Sequence, residues 1–482
     1  MGRKTSPSLA LITIAVFLVS AAAATAARDP ELEICRQQCK IQTAFDKGKR
    51  ESCYTKCELY SREKARREQE EEEEEGRRSS EEREDDSPFV FRPRHFLTAH
   101  SSERGRLSVL QRFSECSSDI FQVIEPFRLG VLEVEPKTFA IPNHLDADLL
   151  CVVASGKGIV NMIEENKRVN FNITEGEMVV IPAGATTYLI NPEDDRKLVV
   201  VKLIRTISAQ PGRFEYFFGS MVMNAFSSSI REAAYSDADR ETLERVLNRS
   251  GRKQDPFLAI SNEQIESIIR RQEDEDGIGW PFVADKSSKR RRIVDILEHK
   301  SISNKFGELY EVGNEEFDDV QISFANITKG GMLGPLFNTR GTKLMFVVEG
   351  EGWMEMATAD ESRRSPRRGS SSERGPSFEG VRARLFPGTV VITPAGHPYA
   401  NVASRARNLK LLCFHVNARN NEKVALAGKD NVFTRLDRVA EEIAFGGSRK
   451  EVEQVFGSNS DYQLFFKGPS REPEEDGGHA AV

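Results

Sequence analysis

The chain has 482 residues, more than one hydrophobic core usually holds, and carries a formal net charge of −7. That balance gives no reason to expect nucleic acid as a partner. Hydrophobic residues make up 39%, enough for folded domains, while the charged share of 30% is inflated by low-complexity tracts.

Residues 1–27 read as a secretory signal peptide: Arg3 and Lys4 give the positive start, Leu9 to Ser20 the apolar stretch, and Ala24 to Ala27 the small-residue cleavage region. No later segment has the ~18 consecutive apolar residues a membrane span needs, so the expectation is a soluble protein of the secretory pathway with no membrane span. In that oxidising setting the cysteines are disulfide candidates. Within residues 28–62, Cys35 and Cys39, then Cys53 and Cys57, stand one helical turn apart, so each pair shares a helix face. Two facing antiparallel helices would join Cys35 to Cys57 and Cys39 to Cys53. Four cysteines permit three connectivities, and a four-thiolate zinc site is the rival reading. Cys116, Cys151 and Cys413 are left over, the last two in apolar runs that suit buried small hydrophobes.

Residues 63–87, with six consecutive glutamates from Glu70 to Glu75, read as an acidic solvated linker. From residue 88 the texture changes to short runs of Val, Ile, Leu and Phe broken by Gly, Pro, Asn and Asp, the pattern of an antiparallel barrel or sandwich. Helices follow. Leu243, Val246 and Leu247 keep helical spacing, and Ser261 to Gln264 forms a capping box ahead of Ile265, Ile268 and Ile269. The device recurs near the C-terminus, where Val439 and Ile443 lie four apart and Ser448 with Glu451 caps a helix bearing Val452, Val455 and Phe456. Such stripes are expected to bury against another subunit or the other half, with the chain's own barrel as the alternative. The boundaries expected are a first barrel over 88–250, a helical, charged connector over 251–295 holding the basic run Lys289 to Arg292, a second barrel over 296–466, and a polar tail over 467–482.

The two barrels are proposed because one pattern occurs twice. Gly176 to Gly184 (GEMVVIPAG) and Gly388 to Gly396 (GTVVITPAG) each follow an apolar run ending in Gly-x-Gly, at Gly156 and Gly350. The second copy carries 18 more residues between these landmarks, seen as a Ser/Arg/Gly/Pro insertion over 360–380 expected to be disordered.

Gly-x5-Pro-x-Gly after a Gly-x-Gly turn resembles the cupin barrel, and two copies resemble a bicupin. Ala209 to Glu215, Phe226 to Ser236, Val416 to Asn421 and Leu426 to Val432 are similar to the vicilins, the 7S globulin seed storage proteins, and the likeness runs from about Phe89 to Pro469. The resemblance implies a mainly β fold of two jelly-roll cupin barrels, each followed by α-helices, plus an N-terminal disulfide-stapled helical hairpin. It also implies a homotrimer held in the protein storage vacuole as a nutrient reservoir, partnered otherwise only by the proteases that process and mobilise it. The Ala480-Ala481-Val482 tail resembles the sorting signals of such proteins.

Enzymatic cupins hold a metal with three His and one Glu, because a hard or borderline divalent ion needs imidazole and carboxylate donors around an open position. Counted from the turn glycines, those positions are Pro142, His144, Leu149 and Thr187 in the first barrel and Leu336, Asn338, Lys343 and Tyr399 in the second. The count argues against an enzyme, with no catalytic residues and no cofactor. Copper, which some vicilins carry through Cys-Pro-His and a later His, meets Gly334-Pro335-Leu336 and His397 here. His397, Cys413 and His415 remain the metal candidates, weighed against ordinary packing. The alternatives to storage are a metal-dependent cupin enzyme and a defence or binding protein with an antimicrobial or protease-inhibitory hairpin. Glycan acceptor motifs stand at Asn172, Asn248 and Asn326.

Overall fold

The computed structural model describes residues 39, 51, 53–57, 87–116, 121–164, 167–247, 255–268, 293–313, 319–359, 378–459 and 462–470. The chain divides into two units, Met1–Arg83 and Glu84–Val482. In the first unit residues 53–57 are helical and Cys39 is disulfide-bonded to Cys53 across a Cα–Cα distance of 5.8 Å. Cys57 is also disulfide-bonded, and its Sγ lies 3.6 Å from that of Cys39. Cys39, Cys53 and Cys57 bring their sulfurs within 4.8 Å of one another. The Cys39–Cys53 bond leaves no thiolate on either residue to hold zinc, which removes the four-thiolate reading. The signal peptide, Cys35 and the acidic linker lie outside the described residues.

The second unit consists of four antiparallel sheets, two to each barrel. In the first barrel one sheet is centred on Ala147–Ser155, Leu198–Thr206 and Phe127–Val134, and the facing sheet on Thr138–Leu145, Thr186–Asn191 and Lys157–Glu164. The second barrel repeats this with Thr342–Glu349, Leu409–Val416 and Gln321–Ile327 facing Gly331–Asn338, Tyr399–Ala403 and Gly352–Ala359.

The run Leu149 to Val153 is apolar without alternation because both faces of its strand are buried. Leu149, Cys151 and Val153 face the first barrel's interior, whereas Leu150 and Val152 join the cluster that continues into the second barrel. The Gly-x-Gly turns recur for a steric reason. Gly156 and Gly350 take φ of +87° and +89°, and a Cβ on either would strike a carbonyl oxygen of the facing chain, Lys197 or Asn408.

The duplicated proline segments also exchange strands between the barrels. Val90–Phe91, from the start of the first half, pairs with Val391 and Val390 in the second barrel. Ile293–Asp295, from the connector, pairs with Glu177 to Val179 in the first. Connector residues 257–259 likewise pair with the first barrel at Thr138 to Ala140, and Ile265 of the 262–268 helix packs on Ile159 and Ile190 there. Of the insertion expected to be disordered over 360–380, residues 378–380 are instead β-strand. They pair with Ala357 to Ala359, because the strand Phe378–Leu385 must complete the edge of the sheet. Residues 360–377 lie outside the described residues.

Among the described helices that follow the barrels, four form two pairs: α1 (Ser228–Ala234) with α2 (Arg240–Leu247), and α3 (Arg438–Phe445) with α4 (Arg449–Phe456). Both expected capping boxes are formed, Ser261 with Gln264 and Ser448 with Glu451. Phe433, Phe445 and Phe456 pack together, with the ring centroids of Phe456 4.6 Å from both others, and Val452 is buried; these residues fix the second pair on its own chain. The opposite face is bare: Val439 is 64% exposed, Ile443 77% and Val455 61%. The stripes therefore split. Ile265 packs on its own barrel and Val452 and Phe456 pack on their own chain, while Val439, Ile443 and Val455 are left exposed.

Candidate functional site in the barrel interiors

Chemistry in this fold would sit inside the barrels, on side chains that alternate strand by strand. In the first barrel Thr187 pairs with Asn143, and Asn143 rather than His144 lines the cavity. His144 pairs with Phe217 and stacks on it at 5.0 Å between centroids, on the face opposite Tyr216 and Phe218, which do line the cavity. The sequence count was one residue out of register here, and a register shift between Thr187 and Leu189 marks the irregular stretch. The first barrel thus turns the His144 imidazole outward and keeps Asn143, Leu149 and Thr187 inside.

In the second barrel Leu336 pairs with Tyr399, and Lys343 pairs with Thr393 just as Leu149 pairs with Ile181. Lys343 therefore occupies the place of the metal-binding carboxylate. It is buried with its Nζ 3.9 Å from the centre of the Tyr399 ring. An ammonium offers no lone pair and repels a cation, so these residues do not fit the cupin metal.

Nor do the three other candidates converge. His415 Nε2 lies 2.9 Å from Ser323 Oγ, while His397 sits half-buried in the turn after Pro394, its Nδ1 3.2 Å from the Ala395 carbonyl and its ring beside Phe89. Cys413 is a buried free thiol. Among the described residues, His397, Cys413 and His415 do not bring ligand atoms within 4.8 Å of one another. Leu336 is fully buried at the position where copper would want imidazole.

Sequence reasoning named Asn338 and His415 but missed Asn401 and Lys202. Asn401 is fully buried with neither side-chain atom hydrogen-bonded, Asn338 keeps Nδ2 unpaired, and His415 keeps Nδ1 unpaired. In the first barrel Lys202 enters a cavity of about 70 Å³ beside Cys151 and Tyr216. Its sequence signal was available: a single charge inside Leu198-Val-Val-Val-Lys-Leu-Ile204.

Burial holds the His415 pKa well below its usual value, with Lys423 and Lys343 adding to the effect. The folded state therefore keeps this imidazole neutral after the unfolded chain has begun to protonate. Stability is full above about pH 6.5 and falls by up to about 1.4 kcal/mol per pH unit below it, until the folded pKa is reached. His415→Gln is expected to flatten the stability curve between about pH 6 and pH 5 in urea titrations relative to the parent. Parallel curves for the two proteins would contradict a neutral buried His415.

A cupin family model matches residues 295–453. A vicilin of Juglans regia is 40% identical over 503 residues, covering 98% of this chain and 98% of its own. The chain belongs to the vicilins. This vicilin is also similar to one from Corylus avellana, 39% identical over 93% of this chain and 97% of that one. The crystal structure of the Corylus avellana vicilin matches 80% of this chain and all of its own at a TM-score of 0.68 and 38% identity. A vicilin structure from Capsicum annuum matches the same share at 0.70 and 33%. The bicupin fold and the seed storage function expected from the sequence both hold, and the vicilin is a nutrient reservoir built on barrels whose metal positions are filled by other residues.

Proposed function

We propose that this vicilin stores nitrogen and carbon without catalysis, assembles as a homotrimer through its helix pairs, and accumulates in the protein storage vacuole until proteases degrade it. The observation that carries the non-catalytic reading is Lys343, a buried cation over Tyr399 where a cupin enzyme places its metal-binding carboxylate. Assembly is supported by the α3–α4 face. Val439 and Ile443, four apart on one helix, are an apolar stripe of the kind a soluble chain covers with a partner. Ile230 on α1 and Val246 on α2 are exposed in the same way, so each helix pair presents an apolar face for a neighbour. Light scattering on the purified protein tests this: a mass of three chains is expected, and a monomer at micromolar concentration would refute it.

Asn172 supports a glycan. It is exposed on Lys167–Thr174, the edge strand of its sheet. Asn326 is less suited: it lies half-buried on an internal strand and its Oδ1 accepts from Asn408 Nδ2 at 3.4 Å. Asn248 lies outside the described residues.

A further inference from the structure

Lys202 stands on Leu198–Thr206, alternating with Val200 and Ile204 on the face that turns into the first barrel. The residue is 9% exposed and lines the cavity. No hydrogen bond or ion pair joins its Nζ to another described residue. Its neighbours are the Tyr216 ring, 5.9 Å away, and the Cys151 thiol across the ladder. Tyr216 Oη is itself buried without a hydrogen-bond partner. Leu149, Val153, Val179 and Phe257 make the surrounding wall apolar. The cavity, about 70 Å³, exceeds the ~10–15 Å³ that one water needs and has room for a few carbons. His100, hydrogen-bonded to Asp255 at 3.1 Å, is a half-exposed member of its lining and marks the rim.

A lone ammonium among aliphatic walls is costly, and burial accordingly lowers the Lys202 pKa. Two kinds of ligand would relieve it. A carboxylate would pair with the charge but must itself leave water, and a buried pair recovers little of that cost. An aldehyde carries no charge to desolvate and abolishes the one already there. We propose that the first-barrel cavity captures small apolar aldehydes, which Lys202 binds covalently as an imine. The neutral Lys202 Nζ adds to the carbonyl carbon, one proton passes from nitrogen to the former carbonyl oxygen to give the carbinolamine, and the hydroxyl leaves with the second nitrogen proton as water as the C=N bond forms. One water is released for each imine formed, with no oxidant or reductant, and hydrolysis reverses the step. The unpartnered Tyr216 hydroxyl is the polar group available to the carbonyl oxygen. Burial also raises the Cys151 pKa, so the thiol stays protonated and does not compete as a thiolate.

The test uses the full-length protein with butanal and cyanoborohydride at about pH 6, where ordinary lysines are overwhelmingly protonated. Peptide mapping is expected to find Lys202 butylated several-fold more than exposed Lys157 and Lys429. In Lys202→Met that label should vanish while the surface labels stay the same. The wild type alone supplies a second comparison that does not depend on the variant folding: a pyrene aldehyde too large for the cavity should label the surface lysines and spare Lys202. Three results would overturn the proposal: Lys202 labelling at or below the surface level, equal labelling of Lys202 by the large aldehyde, or stoichiometric butyrate binding with no trapped imine. The last would make the cavity an anion site.

Discussion

The double substitution Val439→Glu and Ile443→Glu is expected to turn the proposed trimer into folded monomers. Both side chains project from α3 on the face away from the Phe433–Phe445–Phe456 cluster, and neither is buried among the described residues. In the assembly each would place a carboxylate inside an apolar contact, where an unpaired charge costs several kcal/mol. Two such charges in each of three symmetric contacts exceed what an interface of ordinary size recovers. Size-exclusion chromatography with light scattering should return about one chain mass, and the circular dichroism spectrum should match that of the parent. A trimer surviving both glutamates would place the subunit contact elsewhere. Monomers that have also lost β-signal would show that the α3 face supports the fold itself.

A second large effect is expected at Phe91. It is fully buried, it belongs to the two-residue strand that crosses into the second barrel, and its ring lies 5.8 Å from Phe113 and 6.0 Å from His95. Phe91→Ala removes the ring where both halves pack on it, so little local collapse can refill the space. The expected loss is about 3–5 kcal/mol, a large part of the ~5–15 kcal/mol that holds a typical domain together. Phe91→Leu should cost less, since most of the volume remains. Urea unfolding of the parent and both variants measures this. If the alanine variant unfolds with the parent's midpoint, the exchanged strand contributes nothing to joining the barrels.

The repeated GEMVVIPAG and GTVVITPAG segments were legible because steric rules write them directly. A positive φ facing a carbonyl requires glycine, and a strand buried on both faces reads as an unbroken apolar run. Capping boxes are local and were equally visible. The strand exchange was not, since Val90-Phe91 and Ile293-Val294 carry no mark of which barrel they join; pairing from Phe91 to Val390, or from Ile293 back to Val179, is decided by the tertiary fold. His144 was misplaced because strand phase has period two, and one irregular step carries a side chain from the inside to the outside. Lys202 and Lys343 were each readable as single charges within apolar strands. The count from the turn glycines had already put Lys343 where a metal-binding carboxylate would stand, whereas only the register placed Lys202 beside Cys151.

Lys343 is central to the proposal that the vicilin barrels keep the cupin frame without its metal chemistry. Elemental analysis by inductively coupled plasma mass spectrometry, on protein purified without chelators and normalised per chain, tests this most directly. Less than roughly a tenth of an equivalent of any transition metal is the predicted result, because no set of donors among the described barrel residues fits one. Near-stoichiometric copper, iron or manganese would contradict the account and make His397, Cys413 and His415 the first residues to substitute.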